Sequence, residues 1–140
     1  MKALVADDSG VVRCVIKRAL NELGVDDIDE AANGSEGVCL IKHEKYDLIV
    51  TDWNMPPLSG LDLVRAVRAE GQNCPIVMQT TEASKPQVLL AIAAGVNDYI
   101  IKPFAKEAMI QRLERIITKV RESKRNSMAT EPPVPASQNT

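Results

Sequence analysis

Aromatic side chains are scarce: Trp53, Tyr46, Tyr99 and Phe104 are the whole complement of 140 residues. That favours a layered βα protein over one that stacks nucleic-acid bases on rings, and the core has to be aliphatic, built from Val, Ile, Leu and Ala. Cysteine is equally sparse. Cys14, Cys39 and Cys74 form no CxxC pair, and with His43 as the single histidine they lack a zinc-binding spacing. They read as small hydrophobes in a reducing compartment, which makes a cytoplasmic location the expectation. No stretch approaches the roughly 20 apolar residues that a membrane span needs. The apolar start Ala3-Leu4-Val5-Ala6 is stopped by Asp7-Asp8 before a signal peptide could form, so no membrane partner is expected. Nor is charge of one sign in excess. The 17 basic and 19 acidic residues give a formal net charge of -2 with no dense Lys/Arg stripe, and a nucleic acid is not an expected partner.

What is present is the composition of one ordinary domain, 45% apolar and 26% charged, with apolar runs and helical patterns in alternation. The runs lie at residues 2–6, 26–30 (weak), 48–50, 75–78 and 98–101. Each is followed by apolar residues at helical spacing: Val12, Val15, Ile16, Ala19 and Leu20 in the first case, Met109, Leu113, Ile116, Ile117 and Val120 in the last. Ser9 can open the first helix and Gly24 end it. Between the third run and its helix, Pro56-Pro57 forbids helix and central strand alike, so residues 53–60 read as a loop. Strand-then-helix repeated five times predicts an α/β fold, a five-stranded parallel sheet in order 2-1-3-4-5 flanked by five helices. After about Ser123 the pattern fades into Ser, Asn, Thr, Gln and the prolines at 132, 133 and 135, which predicts a domain over 1–122 and a disordered tail over 123–140.

The polar residues are not scattered. Asp7 and Asp8 follow the first strand, Asp52 the third, Thr80 and Thr81 the fourth and Lys102 the fifth, all at the carboxyl ends where open α/β sheets build their sites. An order of 2-1-3-4-5 sets the first and third strands side by side, so three carboxylates converge. Two like charges about 4 Å apart repel by roughly 4 kcal/mol at an effective dielectric of 20, and a hard divalent cation such as Mg²⁺, which takes oxygen ligands, supplies a reason for the cluster. Lys102 adds an ammonium and Thr80 a hydroxyl. That combination matches the surface charge of a phosphoryl group. Taken singly, Asp7-Asp8 reads as a helix-capping pair, Asp52 as a turn residue, Lys102 as a surface lysine and Tyr99 as strand filling; the argument rests on their coincidence. Gln79 stands apart as a polar residue at the end of a strand expected to be buried, either bonded to an adjacent strand end or lining a switch region.

Jointly, Asp7-Asp8-Ser9, Asp52-Trp53-Asn54-Met55-Pro56, Gly60, Thr80, Tyr99 and Lys102-Pro103-Phe104 resemble the CheY-like receiver domains of two-component signalling, nearest the single-domain regulators of chemotaxis, and CheY itself is a known example of this sheet order. The resemblance spans residues 2 to about 121. It implies that Asp52 accepts a phosphoryl group from the phosphohistidine of a sensor histidine kinase. It further implies that Asp8, Asp52, the main-chain carbonyl of Asn54 and a water held by Asp7 bind Mg²⁺, and that Lys102 and Thr80 contact the phosphoryl oxygens. Such a protein is a phosphoacceptor that promotes its own phosphotransfer and dephosphorylation, not a classical enzyme. Asn54 and Glu82, each two positions beyond a site residue, would tune the lifetime of the acyl phosphate. Thr80 and Tyr99 would carry the switch, with Tyr99, Ile101 and Lys106 on the surface that meets a target such as a flagellar motor switch protein. A monomer is expected, and a dedicated phosphatase is a further possible partner. Ser59, where many relatives carry an acid, and Pro57 depart from the pattern in loop shape only.

The chief alternative within the family is a phosphorelay intermediate that passes the group on to a histidine phosphotransfer protein. A flavin carrier of the same sheet order would need a neutral, glycine-rich phosphate loop where Asp7-Asp8 stand. A degenerate receiver would lack Asp52 or Lys102, and some 18 residues beyond the fold are too few for a DNA-binding domain.

Overall fold

Side chains alternate across the strands, and that alternation divides the apolar residues into two cores, one on each face of a single sheet. In the computed structural model, which describes residues 1–81 and 84–129, the elements run β1 (Lys2–Ala6), α1 (Gly10–Glu22), β2 (Asp27–Ala31), α2 (Gly34–His43), β3 (Leu48–Asp52), α3 (Gly60–Ala69), β4 (Ile76–Thr80), α4 (Lys85–Ala94), β5 (Asp98–Ile101) and α5 (Lys106–Ala129). The strands pair in parallel in the order β2-β1-β3-β4-β5, as expected. Ala3, Val5, Leu48, Val50 and Val77 face α1 and α5, where Ile16, Leu20, Met109, Leu113 and Ile117 meet them. Leu4, Ala6, Ile49, Ile76 and Met78 face the other way, onto Ile41 of α2, Leu63, Val64 and Val67 of α3 and Ala91 of α4.

Burial on both faces explains why β1, β3 and β4 read as continuous apolar runs, and edge position explains why β2, with its exposed or half-buried Asp27, Ile28, Asp29 and Glu30, does not. The hydroxyls of Ser9, Ser59 and Ser84 and the side-chain oxygen of Asn33 accept from backbone amides three residues on and start α1, α3, α4 and α2. Ser59 and Asp62 bond reciprocally in a capping box, so the serine is a working helix start. Gly24, with φ of 86°, follows the end of α1 in the left-handed region. Among the described residues no helix is long and apolar enough to cross a membrane.

Two boundaries differ from expectation. Strand β4 runs two residues past Met78 and takes Gln79 and Thr80 into the sheet, because both are buried between β3 and β5. Helix α5 does not stop near Arg121 but continues to Ala129, through the proposed limit at 122/123; no proline intervenes before 132, and Lys124 Nζ lies 2.8 Å from Asp47 Oδ1. The remainder of the expected tail, 130–140, lies outside the described residues. Burial alone would raise the Asp47 carboxyl, but the bonds from Lys124 and from the Lys2 backbone amide outweigh it and hold the group below the usual range. A carboxyl with a depressed folded pKa contributes stability above its unfolded pKa and loses it as pH falls through the folded value. Deleting residues 123–140 should therefore cost about 1 kcal/mol or less at neutral pH, since the pair is partly solvent-screened. In thermal melts that small difference should vanish as pH drops below the ordinary Asp value of about 3.9.

Candidate functional site

Strand ends deliver the site. Asp7 lies one residue beyond β1 and Asp52 ends β3, and because β1 and β3 are neighbours their carboxylates meet. One oxygen each from Asp7, Asp8 and Asp52 fall within 4.8 Å of one another. Asp7 is fully buried and Asp52 nearly so, whereas Asp8 is exposed at the mouth. Lys102 reaches in from the end of β5: its Nζ is 3.0 Å from Asp7 Oδ2 and 3.3 Å from Asp52 Oδ2. The Lys102 backbone amide donates to the Thr80 carbonyl at 2.7 Å, which ties the lysine to the end of β4. The Lys102-Pro103 and Pro56-Pro57 peptide bonds are both cis.

Asp7 is held on every side. Its Oδ1 accepts from the Ser9 amide at 2.9 Å, its Oδ2 from Gln79 Nε2 at 2.9 Å and from Lys102, and its carbonyl from the Arg13 guanidinium. Arg13 is anchored in turn by Glu30, which also pairs with Lys17. The loop after β3 is pinned by Trp53 N to the Gln79 carbonyl at 2.9 Å and Gly60 N to the Trp53 carbonyl at 2.7 Å. Burial, then the neighbouring Asp7 charge, pushes the Asp52 carboxyl above the usual range, in spite of the opposing pull of Lys102. For Lys102, burial alone would lower the ammonium, but its bond to Asp7 and the charges of Asp7 and Asp52 prevail and raise it. Two buried carboxylates and one ammonium leave negative charge in excess. Three carboxylates open to solvent through Asp8, with no histidine or cysteine in the cluster among the described residues, fit a hard cation of the Mg²⁺ class and not a soft one.

The structure thus brings together Asp7, Asp8, Asp52 and Lys102 as the sequence expected. Thr80 is buried at the end of β4, paired in register with Ile101, while Tyr99 pairs with Met78 and is half-buried. Thr80 and Met78 share one face of β4, which places Thr80 diagonally from Tyr99 on the same side of the sheet. Asn54 is exposed in the loop after β3, and Ile101 and Lys106 are exposed beyond it on β5 and α5. Glu82 lies outside the described residues. A groove of about 380 Å³, lined by Val11, Val12, Val15, Thr81, Pro103 and Phe104, opens beside Lys102. Sequence reasoning missed Arg13 and the Asp7–Gln79 contact. Arg13 carried a signal in its place on the first turn of α1, and Gln79 only in being polar where an apolar residue was due.

An open parallel sheet wound in this order, with carboxylates in place of a glycine-rich loop at its switch point, defines a doubly wound α/β protein with an acidic site at the sheet edge. The chain belongs to the response regulator receiver domain family, which residues 3–114 match. It is 47% identical over 120 residues to a chemotaxis protein CheY homolog of Campylobacter jejuni, covering 84% of this chain and 92% of that one. Its fold is similar to that of chemotaxis protein CheY4 of Vibrio cholerae, with a TM-score of 0.76 and 33% identity over 82% of this chain and 97% of that one. The receiver domain of sensor histidine kinase PA1611 from Pseudomonas aeruginosa, whose structure has a magnesium ion coordinated in the active-site cleft, superposes with a TM-score of 0.72 at 31% identity, covering 84% of this chain and 97% of that one. The chain is thus a receiver domain of the CheY type.

Proposed function

We propose that this protein is a response regulator that accepts a phosphoryl group on Asp52 from a sensor histidine kinase and signals, in chemotaxis, by altered protein binding. The observation that carries this reading is the meeting of Asp7, Asp8 and Asp52 with Lys102 at one sheet edge. In the transfer, an Asp52 carboxylate oxygen forms the new O–P bond as the P–N bond to the donor imidazole breaks; the bonding electrons return to that nitrogen, which takes up a proton. Asp8, Asp52 and the main-chain carbonyl of Asn54, with Asp7 through a water, would hold Mg²⁺, which when bound offsets negative charge on the phosphoryl oxygens. Lys102, already 3.3 Å from Asp52, supplies a second positive charge, and Thr80 a hydroxyl donor. The apolar groove beside Lys102 offers the donor's histidine-bearing surface a place to dock. Asn54 flanks the path of the hydrolytic water and, with Glu82, sets the lifetime.

The test is incubation of the full chain with acetyl phosphate and Mg²⁺, followed by mapping of the label. A label on Asp52 that disappears with EDTA supports the reading; no label, or label elsewhere, overturns it. A phosphorylated state lasting hours would favour the relay role over chemotaxis.

The sheet geometry supports a route for output. A phosphoryl group on Asp52 gives Thr80 a new acceptor and draws it toward the site, leaving room that the Tyr99 ring, on the same face, can fill. A coupling of about 1 to 3 kcal/mol is enough to change target affinity 5- to 150-fold. Thr80→Ala should keep phosphorylation but lose most of the gain in target binding, together with the inward shift of Tyr99 seen by NMR. A variant that responds like wild type would return Tyr99 to the role of a packed strand residue.

A further inference from the structure

Gln79 is fully buried on β4, directly opposite Asp52 in the β3–β4 register, yet its side chain does not serve Asp52. It reaches across β3 to Asp7, two strands away, and donates from Nε2 to Oδ2 at 2.9 Å. The opposite amide orientation would set Oε1 against the carboxylate, so the donor assignment follows from the partner. Oε1, buried as well, has no hydrogen-bond partner among the described residues. A buried amide with one end unsatisfied is a cost that leucine or methionine would avoid in a strand otherwise made of Ile76, Val77, Met78 and the terminal Thr80. Packing therefore does not account for glutamine here, while the bond to Asp7 does.

We infer that Gln79 is a positioning residue that fixes the Asp7 carboxylate for the cation by holding Oδ2 jointly with Lys102. With Ser9 N–H on Oδ1 and the Gln79 amide on Oδ2, the carboxylate is fastened at both oxygens in one rotamer. The ammonium of Lys102, 3.0 Å from that same Oδ2, is then free to lean toward Asp52 without leaving Asp7 short of a donor. Without the amide, Lys102 becomes the sole side-chain donor to Oδ2, settles onto Asp7 and competes with the cation for it. Length matters as much as polarity. Strands are about 4.8 Å apart, so spanning from β4 past β3 needs the full glutamine side chain and asparagine falls short.

The inference rests on the Mg²⁺ reading above, and its test separates the two. Mg²⁺ alone is titrated into the full chain, with the fluorescence of Trp53, the single tryptophan and next to Asp52, as the readout; melting is recorded without divalent cation. Gln79→Met and Gln79→Asn should each weaken Mg²⁺ binding by about tenfold, in line with other losses of a ligand's hydrogen-bond partner. The melting temperature of Gln79→Met should be no lower than wild type. Gln79→Leu serves as a second apolar variant. Unchanged Mg²⁺ affinity in the apolar variants, or a failure of both to fold, makes Gln79 a packing residue and overturns the inference alone. Wild type that binds no Mg²⁺ overturns the metal reading and this inference with it.

Discussion

Asp52→Asn is expected to abolish labelling by acetyl phosphate in Mg²⁺ and, at the same time, to raise the melting temperature of the metal-free protein. The first effect follows from chemistry: an amide in the same position and of the same size has no anionic oxygen to form the O–P bond. The second follows from electrostatics. Burial, and then the charge on Asp7, raises the Asp52 carboxyl above the usual range. A group with a raised folded pKa binds its proton more tightly in the native state, so stability falls as pH rises from the ordinary Asp range through the folded value. At neutral pH the ionised Asp52 is a net burden on the metal-free fold. Lys102 loses one carboxylate in the variant but keeps Asp7 at 3.0 Å. The gap in melting temperature between variant and wild type, measured in EDTA, should widen with pH across that window and then level off. Added Mg²⁺ should close it by stabilising wild type more. Persistent labelling of Asp52→Asn would remove Asp52 from its role, and a lowered melting temperature would mean that the carboxylate is a structural partner of Lys102 first.

Much of this could be read from the residues, for reasons that differ element by element. Strands β1 and β3 announce themselves because both faces are buried, and the convergence of Asp7, Asp8 and Asp52 follows from their places at the ends of two strands that the 2-1-3-4-5 order makes neighbours. Strand β2 was faint because an edge strand needs few apolar residues, and only its place between two helices revealed it. For Gln79 a bond to an adjacent strand end was one of two readings, but its partner Asp7 could not be read: 72 residues separate the two, and a third strand lies between them. The extension of α5 was hidden for the opposite reason. Residues 122–126 are exposed, so the apolar period fades there while the backbone of the helix continues, and the Lys124–Asp47 contact looks like any surface charge until the fold closes.

Gly60 belongs to the residues whose type was visible and whose reason was not. It opens α3, and its amide donates to the Trp53 carbonyl at 2.7 Å, which folds the loop of residues 53–60 back on the end of β3. A Cβ added at this position would lie 1.9 Å from the Asp52 carbonyl oxygen, 2.9 Å from its carbon and 3.1 Å from Trp53 Cα. All three are backbone atoms of the strand end that carries the candidate acceptor, so no side-chain rotation relieves the clash. Either α3 moves away from β3, which opens the packing of Leu63 and Val64, or the end of β3 shifts and takes Asp52 with it. Gly60→Ala should therefore destabilise by about 3 kcal/mol or more, in the upper range for single substitutions, and lower the melting temperature by roughly 10 °C or more in a domain of this size. Whatever fraction stays folded should label more slowly with acetyl phosphate, because the Asp52 carboxylate no longer stands at its place beside Asp7 and Lys102. Gly60 opens α3 and is not among the positive-φ glycines, so Gly71→Ala is the control for strain without a clash: its φ is positive, at 81°, and an added Cβ there has no neighbour within 4 Å. It should cost about 1 kcal/mol and leave labelling unchanged. A loss at Gly60→Ala no larger than at Gly71→Ala, with labelling intact, would mean that the closeness of α3 to the Asp52 carbonyl is not what requires glycine at position 60.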